Sequence, residues 1–290
     1  MKYIFIINPA SGTTNYEIVK ENIKNNVKEE YEIIETKGPH DATKIASKYK
    51  NKKDVVVFSV GGDGTLNEVV NGLAGGKCFL GIIPTGSGND FYRSLESSNK
   101  LKSTIDLGKV NDRYFINITS IGFDAQVAHN ANIFKEKNKN KKLAYYLGIL
   151  KTLIKFRCDN YKLIIDGKDY NNRYTLMAIC NGKYYGGGFK IAPLASFDDD
   201  YFDLYLANKM NRLTLIKLLV MLIKANHENS KLVSKIKCKS VSIASDKDMI
   251  VNIDGEIIKS KKVDIEMIPN SINLYNDKKL VKSILNNTCK

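Results

Sequence analysis

The sequence predicts an α/β domain with a parallel sheet over residues 1–118 and a β-rich antiparallel domain over 119–276. Three observations carry this. Apolar runs alternate with helical spacing in the first part, and strand-like runs outnumber helices from about Thr119 onward. The turns NPASG, GGDGT and PTGSG each follow an apolar run of the first part.

YIFIIN opens as a strand and a helix follows from about Asn15 to Lys28; YEIIET is the next strand, a helix runs from about Asp41 to Lys50, and VVVFSV is the third strand. After GGDGT come a helix, the short strand CFLGII, the turn PTGSGND and the strand STIDLG. Ligands of open parallel sheets sit at the carboxyl ends of the strands, where the three turns fall, so the turns are expected to converge on one crevice. Beyond the boundary, YKLIID, YTLMAIC, YFDLYLA, VSIAS, MIVNID, VDIEMI and SINLY read as antiparallel strands. Helices are expected over about Lys142–Phe156 and Arg212–Asn226, with a third closing the chain near Asp277–Leu285. The run KEKNKNKK at 135–142 predicts a mobile loop between the two domains.

With 290 residues, 43% of them hydrophobic, the chain is long enough for two domains with substantial cores. Its five cysteines are scattered without a C-x-x-C pair, which predicts reduced thiols and a cytoplasmic protein. The apolar N-terminal run is broken too early for a signal peptide, and LTLIKLLVMLIKA is interrupted by lysines, so no membrane span is expected. That second stretch is apolar on nearly all faces, and core packing is favoured over contact with a membrane. The net charge of +14 suits either a plain solvated surface rich in lysine and asparagine or attraction to an anionic membrane surface or substrate. Nucleic acid is not expected, because no DNA- or RNA-binding motif accompanies the dispersed lysines.

In SVGGDGTLNEVVNGL, Thr65 and Glu68 have the spacing of a capping box. Glycines ahead of a helix N-terminus leave outward amides that hold an anion. Asp63 inside such a cradle repels phosphate unless a cation intervenes, which implies magnesium. GLAGGKC lacks the P-loop spacing and the Ser or Thr that would hold magnesium, so it reads as a helix C-cap. GGDGT lacks the G-x-G-x-x-G spacing of a dinucleotide fold. In NIDGEII, Asp254 and Glu256 flank a glycine on a hairpin-like turn, which serves either as a plain Asp-Gly turn or as the source of a general base. His40, His129 and His227 are isolated and read as cap or surface residues. The triple glycine at 186–188 is either a bend or a wall that leaves room for an acyl chain.

Taken in order and spacing, NPASG, GGDGTLNEVVNGL, PTGSGNDFYRSL, YYGGGFKIAPLASFDDDYFDL and NIDGE resemble the bacterial diacylglycerol kinase and related lipid kinase family over nearly the whole chain. The resemblance implies that ATP binds in the interdomain cleft, that the second domain receives the lipid, and that the 277–290 tail packs back on the first domain. It places Asn8, Pro9, Ala10, Ser11, Gly12, Thr36, Gly61, Gly62, Asp63, Gly64, Thr65, Leu66, Asn67 and Ser87 at the nucleotide, Ser87 standing where relatives commonly have threonine. Asp63, Asp90 and Asp106 match aspartates of a magnesium and water network, and Ser196, Asp199 and Tyr201 match a second, structural magnesium site. Asp200 departs from the usual glycine there, although Asp tolerates a left-handed turn better than most residues. An acid of the DGE triplet acts as general base in relatives, which assigns catalysis to Asp254 or Glu256.

The expected activity is an ATP- and Mg2+-dependent lipid kinase that phosphorylates a hydroxyl of diacylglycerol or a related membrane lipid. Peripheral contact with an anionic membrane is expected, and a homodimer is compatible with the resemblance. NAD kinase shares GGDGT but is disfavoured by LGIIPTGSGNDF. A regulator without activity would have damaged acids, yet Asp63, Asp254 and Glu256 are all present.

Overall fold

The computed structural model describes residues 1–11, 14–98, 103–137 and 141–288. The first part builds β1 (Lys2–Ile7), α1 (Tyr16–Asn26), β2 (Glu30–Glu35), α2 (Asp41–Ser47), β3 (Val55–Gly61), α3 (Asp63–Leu73), β4 (Phe79–Pro84) and α4 (Asp90–Glu96). Next come β5 (Thr104–Val110), β6 (Arg113–Phe115), β7 (Ile118–Gly122), α5 (Phe123–Lys137) and α6 (Lys141–Lys155). The strands β8 (Asn160–Ile165), β9 (Lys168–Asp169), β10 (Asn172–Cys180), β11 (Tyr184–Tyr185), β12 (Phe189–Lys190) and β13 (Phe202–Asn208) lead to α7 (Arg212–Ile223). The chain ends with β14 (Ser234–Cys238), β15 (Ser240–Ile253), β16 (Glu256–Leu274) and α8 (Lys278–Leu285).

Strands β4, β3, β1 and β2 lie side by side in parallel. All seven residues of β3, VVVFSVG, are buried, as a central strand covered on both faces requires. Helices α2 and α3 cover one face, with Val69, Val70 and Leu73 packed among Ile4, Ile6 and Val57. The other face carries Val19 and Ile23 of α1 and Ile284 of α8, against Phe5 and Phe58. Asn22 on α1 donates to the carbonyls of Ile284 and Asn286, which ties the C-terminal helix to the first domain.

The second part is antiparallel around β7, β10, β13, β14, β15 and β16, enclosing Phe115, Phe202, Met177 and Val251. Strand β8 alternates between exposed and buried residues, the pattern of a sheet with one wet face. The long strand β16 joins the two parts: it pairs antiparallel with β15 and β5, then parallel with β4 through Asn273 and Leu274.

Several elements differ from the sequence reading. VSIAS and MIVNID form one strand, as do VDIEMI and SINLY, because a register shift inside each absorbs the break in pattern. No helix is expected at Asp90–Glu96, yet α4 forms there from Asn89 in the left-handed region. Helix α5 is likewise unexpected, since its polar sequence carries little apolar periodicity. The Lys/Asn run joins α5 to α6 within the second domain rather than linking the domains, and its residues 138–140 lie outside the described residues. Helix α7 is not a core helix: only Leu215 and Leu218 are buried, while Leu213, Ile216, Val220 and Ile223 are exposed. His227 is buried, with Nε2 at 2.7 Å from the Ile191 carbonyl. Gly75 follows α3 at φ +70, the left-handed conformation of a helix C-cap.

The capping box is also corrected. The N-cap of α3 is Gly62, so Thr65 lies inside the helix and accepts from Asn8 Nδ2 at 3.1 Å. Glu68 caps a different helix: its carboxylate accepts the amides of His40 at 3.0 Å and Ala42 at 3.2 Å at the start of α2. Replacing Glu68 with alanine should therefore destabilise the protein by about 1 kcal/mol, the usual worth of a cap, with nucleotide affinity unchanged. A urea unfolding midpoint beside a nucleotide titration checks both parts.

Candidate active site

The three glycine-bearing turns converge at the carboxyl ends of β1, β3 and β4. Gly62 donates its amide to Ser11 Oγ at 3.0 Å, and Thr85 donates to the Gly61 carbonyl at 3.0 Å. The backbones of Gly62 and Gly86 touch so closely that a Cβ on Gly86 would lie 2.4 Å from the Gly62 Cα. No other residue type fits there. Asn89 holds the third turn shut, accepting from the Gly86 amide and donating to the Gly86 carbonyl at 2.8 Å. Around this floor lie Asn8, exposed Pro9 and Ala10, and exposed Gly64 and Ser87. Thr36 is bound by its amide to the Ile7 carbonyl. Gly12 lies outside the described residues.

Asp63 opens α3 and Asp90 opens α4. Asp63 Oδ1 accepts from the Phe91 amide at 3.3 Å, and Asp90 Oδ2 accepts from the Gly187 amide at 2.8 Å. Gly88 lies between the two carboxylates: a Cβ there would stand 2.8 Å from Asp63 Oδ2 and 3.9 Å from Asp90 Oδ2. Burial pushes the Asp63 carboxyl up against the pull of the α4 amides. Burial and then the charge of Asp63 push Asp90 up to about 6. Asp90 Oδ1 is buried without a hydrogen-bond partner. Two neighbouring carboxylates with an unsatisfied oxygen beside the glycine-floored turns fit a hard divalent cation, with the remaining oxygens supplied by ligand and water.

The triple glycine is part of this site. Gly186, Gly187 and Gly188 all have positive φ, in the tight link between β11 and β12. Gly188 leaves room for Arg93 of α4, whose Nη1 would be 2.3 Å from a Cβ at that position. Arg93 draws the Asp90 value downward, and the sequence alone does not single it out. The motif PTGSGNDFYRSL contains it, but only the fold of α4 turns it toward the cleft. Asp124 was likewise missed: at the start of α5, it accepts from Ser120 Oγ at 2.5 Å and from the Tyr185 hydroxyl.

The two acids of NIDGE have different environments. Asp254 Oδ2 accepts from the Ile116 amide at 2.6 Å and Asn67 Nδ2 at 2.9 Å, and Oδ1 accepts from the amides of Asn117 and Ile118 at 3.0 and 2.9 Å. Four donors occupy this carboxylate, so it braces the turn and has no lone pair directed at a substrate. This corrects its candidacy as base. Glu256 is only half-buried, and its carboxylate pairs with Arg113 Nη1. Arg113 Nη2 donates in turn to Asn67 Oδ1 at 3.2 Å. Asn67 lies one helical turn after Asp63 on α3, so Glu256 is tied through Arg113 to the helix that forms the cradle.

Some assigned residues are placed elsewhere. The side chains of Leu66 and Asn67 are buried, Leu66 in the core under α3, which leaves only their backbone near a nucleotide. Asp106 accepts the amides of Asn270 at 2.8 Å and Asp200 at 2.9 Å, fixing the bend of β16 and the turn at Asp200, which adopts φ +64. At the second metal position, Ser196 Oγ donates to Asp198, while Asp199 accepts from the Tyr201 amide and pairs with Lys237 Nζ. An ammonium group thus occupies the one carboxylate of this trio, and Ser196, Asp199 and Tyr201 do not fit a magnesium ion in this arrangement. No group of three or more acidic, His or Cys side chains converges for a metal among the described residues.

Comparison with known proteins agrees with this architecture. Residues 2–114 match the family model for the diacylglycerol kinase catalytic domain, and residues 117–276 match that for the YegS C-terminal NAD kinase beta sandwich-like domain. A diacylglycerol kinase from Bacillus subtilis (strain 168) is 32% identical, the match covering 87% of this chain and 88% of the relative. One from Staphylococcus saprophyticus is 31% identical over 87% of each chain. A solved chain from Bacillus anthracis str. Sterne superposes with a TM-score of 0.75 at 26% identity, covering 96% of this chain and 98% of the other. By sequence over both domains and by fold, the chain belongs to the diacylglycerol kinase family.

Proposed function

We propose that the protein transfers the γ-phosphoryl group of ATP to a hydroxyl of diacylglycerol or a closely related membrane lipid. The observation that carries this reading is the joining, through α3, of a glycine-floored cradle, two neighbouring carboxylates of which Asp90 keeps one oxygen unpartnered, and one accessible acid. The outward amides at the start of α3 hold the phosphate oxygens above the floor that Gly62 and Gly86 form, where the helix dipole favours negative charge. Asp63 and Asp90 would hold Mg2+, which supplies charge neutralisation on the transferring phosphoryl group. Arg93 adds a fixed positive charge beside them.

Glu256 accepts the proton of the lipid hydroxyl as the new O–P bond forms, and the bond from the γ-phosphorus to the bridging oxygen breaks to release ADP. Arg113 orients this carboxylate, and Asn67 orients Arg113. The relatives named diacylglycerol kinase support this acceptor. Labelled ATP and Mg2+ offered with diacylglycerol, sphingosine, undecaprenol or NAD test it: label in the diacylglycerol product is expected, and label in NAD alone would overturn the reading.

The two acids of the turn should behave differently on substitution. Glu256→Gln removes the base with little change in shape, so kcat should fall by about 10²-fold or more, while ATP affinity and thermal stability are kept. Asp254→Ala leaves four donors without their acceptor and should cost at least ~3 kcal/mol of stability, read as a lowered unfolding midpoint. Equal stability of the two variants would contradict this division of roles.

The Asp90 value gives a sign-defined pH effect on the protein in metal-free, nucleotide-free buffer. Its folded value, about 6, lies above the ordinary 3.8, so between these limits the folded state binds more protons than the unfolded state. The contribution of Asp90 to stability is greatest below pH 3.8 and is lost as pH rises through 6. Asp90→Asn should accordingly stabilise the protein at pH 7 by on the order of 2 kcal/mol and flatten this part of the profile. Denaturant titrations at pH 5 and pH 7 provide the measurement.

A further inference from the structure

Two rows of large apolar side chains stand in solvent on the second domain. On α6 they are Tyr146, Leu150 and Ile154, at 64%, 55% and 58% exposure; on α7 they include Leu213 at 81% and Ile223 at 65%. Spacings of three and four residues keep each row on one face of its helix. The opposite faces supply the packing: Tyr145, Ile149 and Leu153 meet Leu215 and Leu219 in one cluster with Phe123 and Val127 of α5. Arg212 Nη2 donates to the Ile154 carbonyl at 2.7 Å, which sets the end of the α6 row beside the start of the α7 row. Soluble proteins seldom leave so much contiguous apolar surface open unless something covers it.

The charge around the rows identifies the cover. Residues 137–158 contain seven Lys or Arg and no Asp or Glu, and residues 209–227 contain four and again no acid. A second copy of the chain, meeting this face with the same face, would bring like charges together. An anionic bilayer would receive the apolar rows among its acyl chains and the lysines and arginines at its headgroups. The face is also continuous with the cleft. Tyr145, next to Tyr146, stacks on Phe189 with ring centroids 5.7 Å apart, and its hydroxyl lies 3.8 Å from the Cβ position of Gly186. The adjacent Gly187 holds Asp90.

We propose that the outer faces of α6 and α7 form the membrane-docking surface, lying flat in the headgroup region of an anionic bilayer so that the cleft opens toward lipid. This rests on the lipid-kinase reading of the site, and the two fail separately. The test is co-sedimentation of the full chain with phosphatidylglycerol-containing vesicles and with pure phosphatidylcholine vesicles, in wild type and in Leu213→Gln/Ile223→Gln and Tyr146→Ser/Leu150→Gln variants. All four positions are exposed, so unchanged unfolding midpoints are expected. Each variant should need at least about ten-fold more anionic lipid for half-binding, while turnover of a short-chain, water-soluble diacylglycerol stays within about two-fold of wild type. Wild-type binding should weaken in high salt and on phosphatidylcholine.

Anionic-vesicle binding equal to wild type in both variants would overturn the proposal. So would a wild-type dimer that the same substitutions dissociate, since the face would then be covered by a second copy. Vesicle binding with no phosphorylation of any diacylglycerol would instead overturn the catalytic reading and leave the docking surface standing.

Discussion

The Asp254 carboxylate is the fixed point of the molecule. It accepts four hydrogen bonds, three from successive amides at Ile116, Asn117 and Ile118, where the chain passes from the first domain to the second. The fourth comes from Asn67 on α3, the helix that forms the phosphate cradle. Its backbone adopts φ +48, and its amide donates to the Ile118 carbonyl, so the tip of the β15–β16 hairpin is locked in place as well. A buried carboxylate is costly without donors, and here burial raises its pKa while the amides pull it down. One residue thereby sets the distance between the cradle, the crossover and the following Glu256. Register matters because Glu256 lies only two residues beyond the lock.

A different economy governs Asp63 and Asp90. Their mutual repulsion and burial are only partly offset by the amides of Phe91 and Gly187, and Asp90 Oδ1 has no partner. Such an arrangement costs stability in the empty protein and is relieved by a cation, the pattern of a site built for a ligand rather than for folding. Gly86 and Gly88 make it possible, since a side chain at either position would strike the Gly62 backbone or the Asp63 carboxylate. Contrast Asp106, whose oxygens are met by the amides of Asn270 and Asp200 as it holds two turns in shape. Aspartates that look alike in the sequence divide into those with satisfied oxygens and those without.

Much of the fold was legible because strands and helices of the first domain carry clean periodicity, from YIFIIN to VVVFSV. The convergence of the three turns followed from the geometry of parallel sheets, and the second domain from its succession of strand-like runs after Thr119. What stayed hidden depends on contacts distant in sequence. Glu68 has capping-box spacing within its own helix, yet it reaches amides 28 and 26 residues away because α2 packs beside α3. Asp254 and Glu256 are equivalent acids in the string NIDGE; only the amides of Ile116, Asn117 and Ile118, the Asn67 amide group and the Arg113 side chain distinguish them. Helices α4 and α5 were obscured by turn residues and polar composition, since their stability comes from tertiary packing rather than propensity.

Helix α7 shows most clearly how pattern and position diverge. RLTLIKLLVMLI is apolar nearly all round, which ordinarily signals a buried helix or a membrane span. At 12 residues it is about 18 Å long, well short of the ~30 Å of a bilayer core. Nor is it buried, since only one side of it meets the protein, Leu218 against β10 and β13 and Leu215 against α5 and α6. A helix that is too apolar for water, too short to cross and too shallow to be enclosed needs a cover, and the docking surface proposed above supplies one at the plane where water meets lipid. The same reasoning applies to the outer row of α6, and it sets the apolar surface of this otherwise basic protein beside the cleft, where the proposed reaction would need a lipid hydroxyl to arrive.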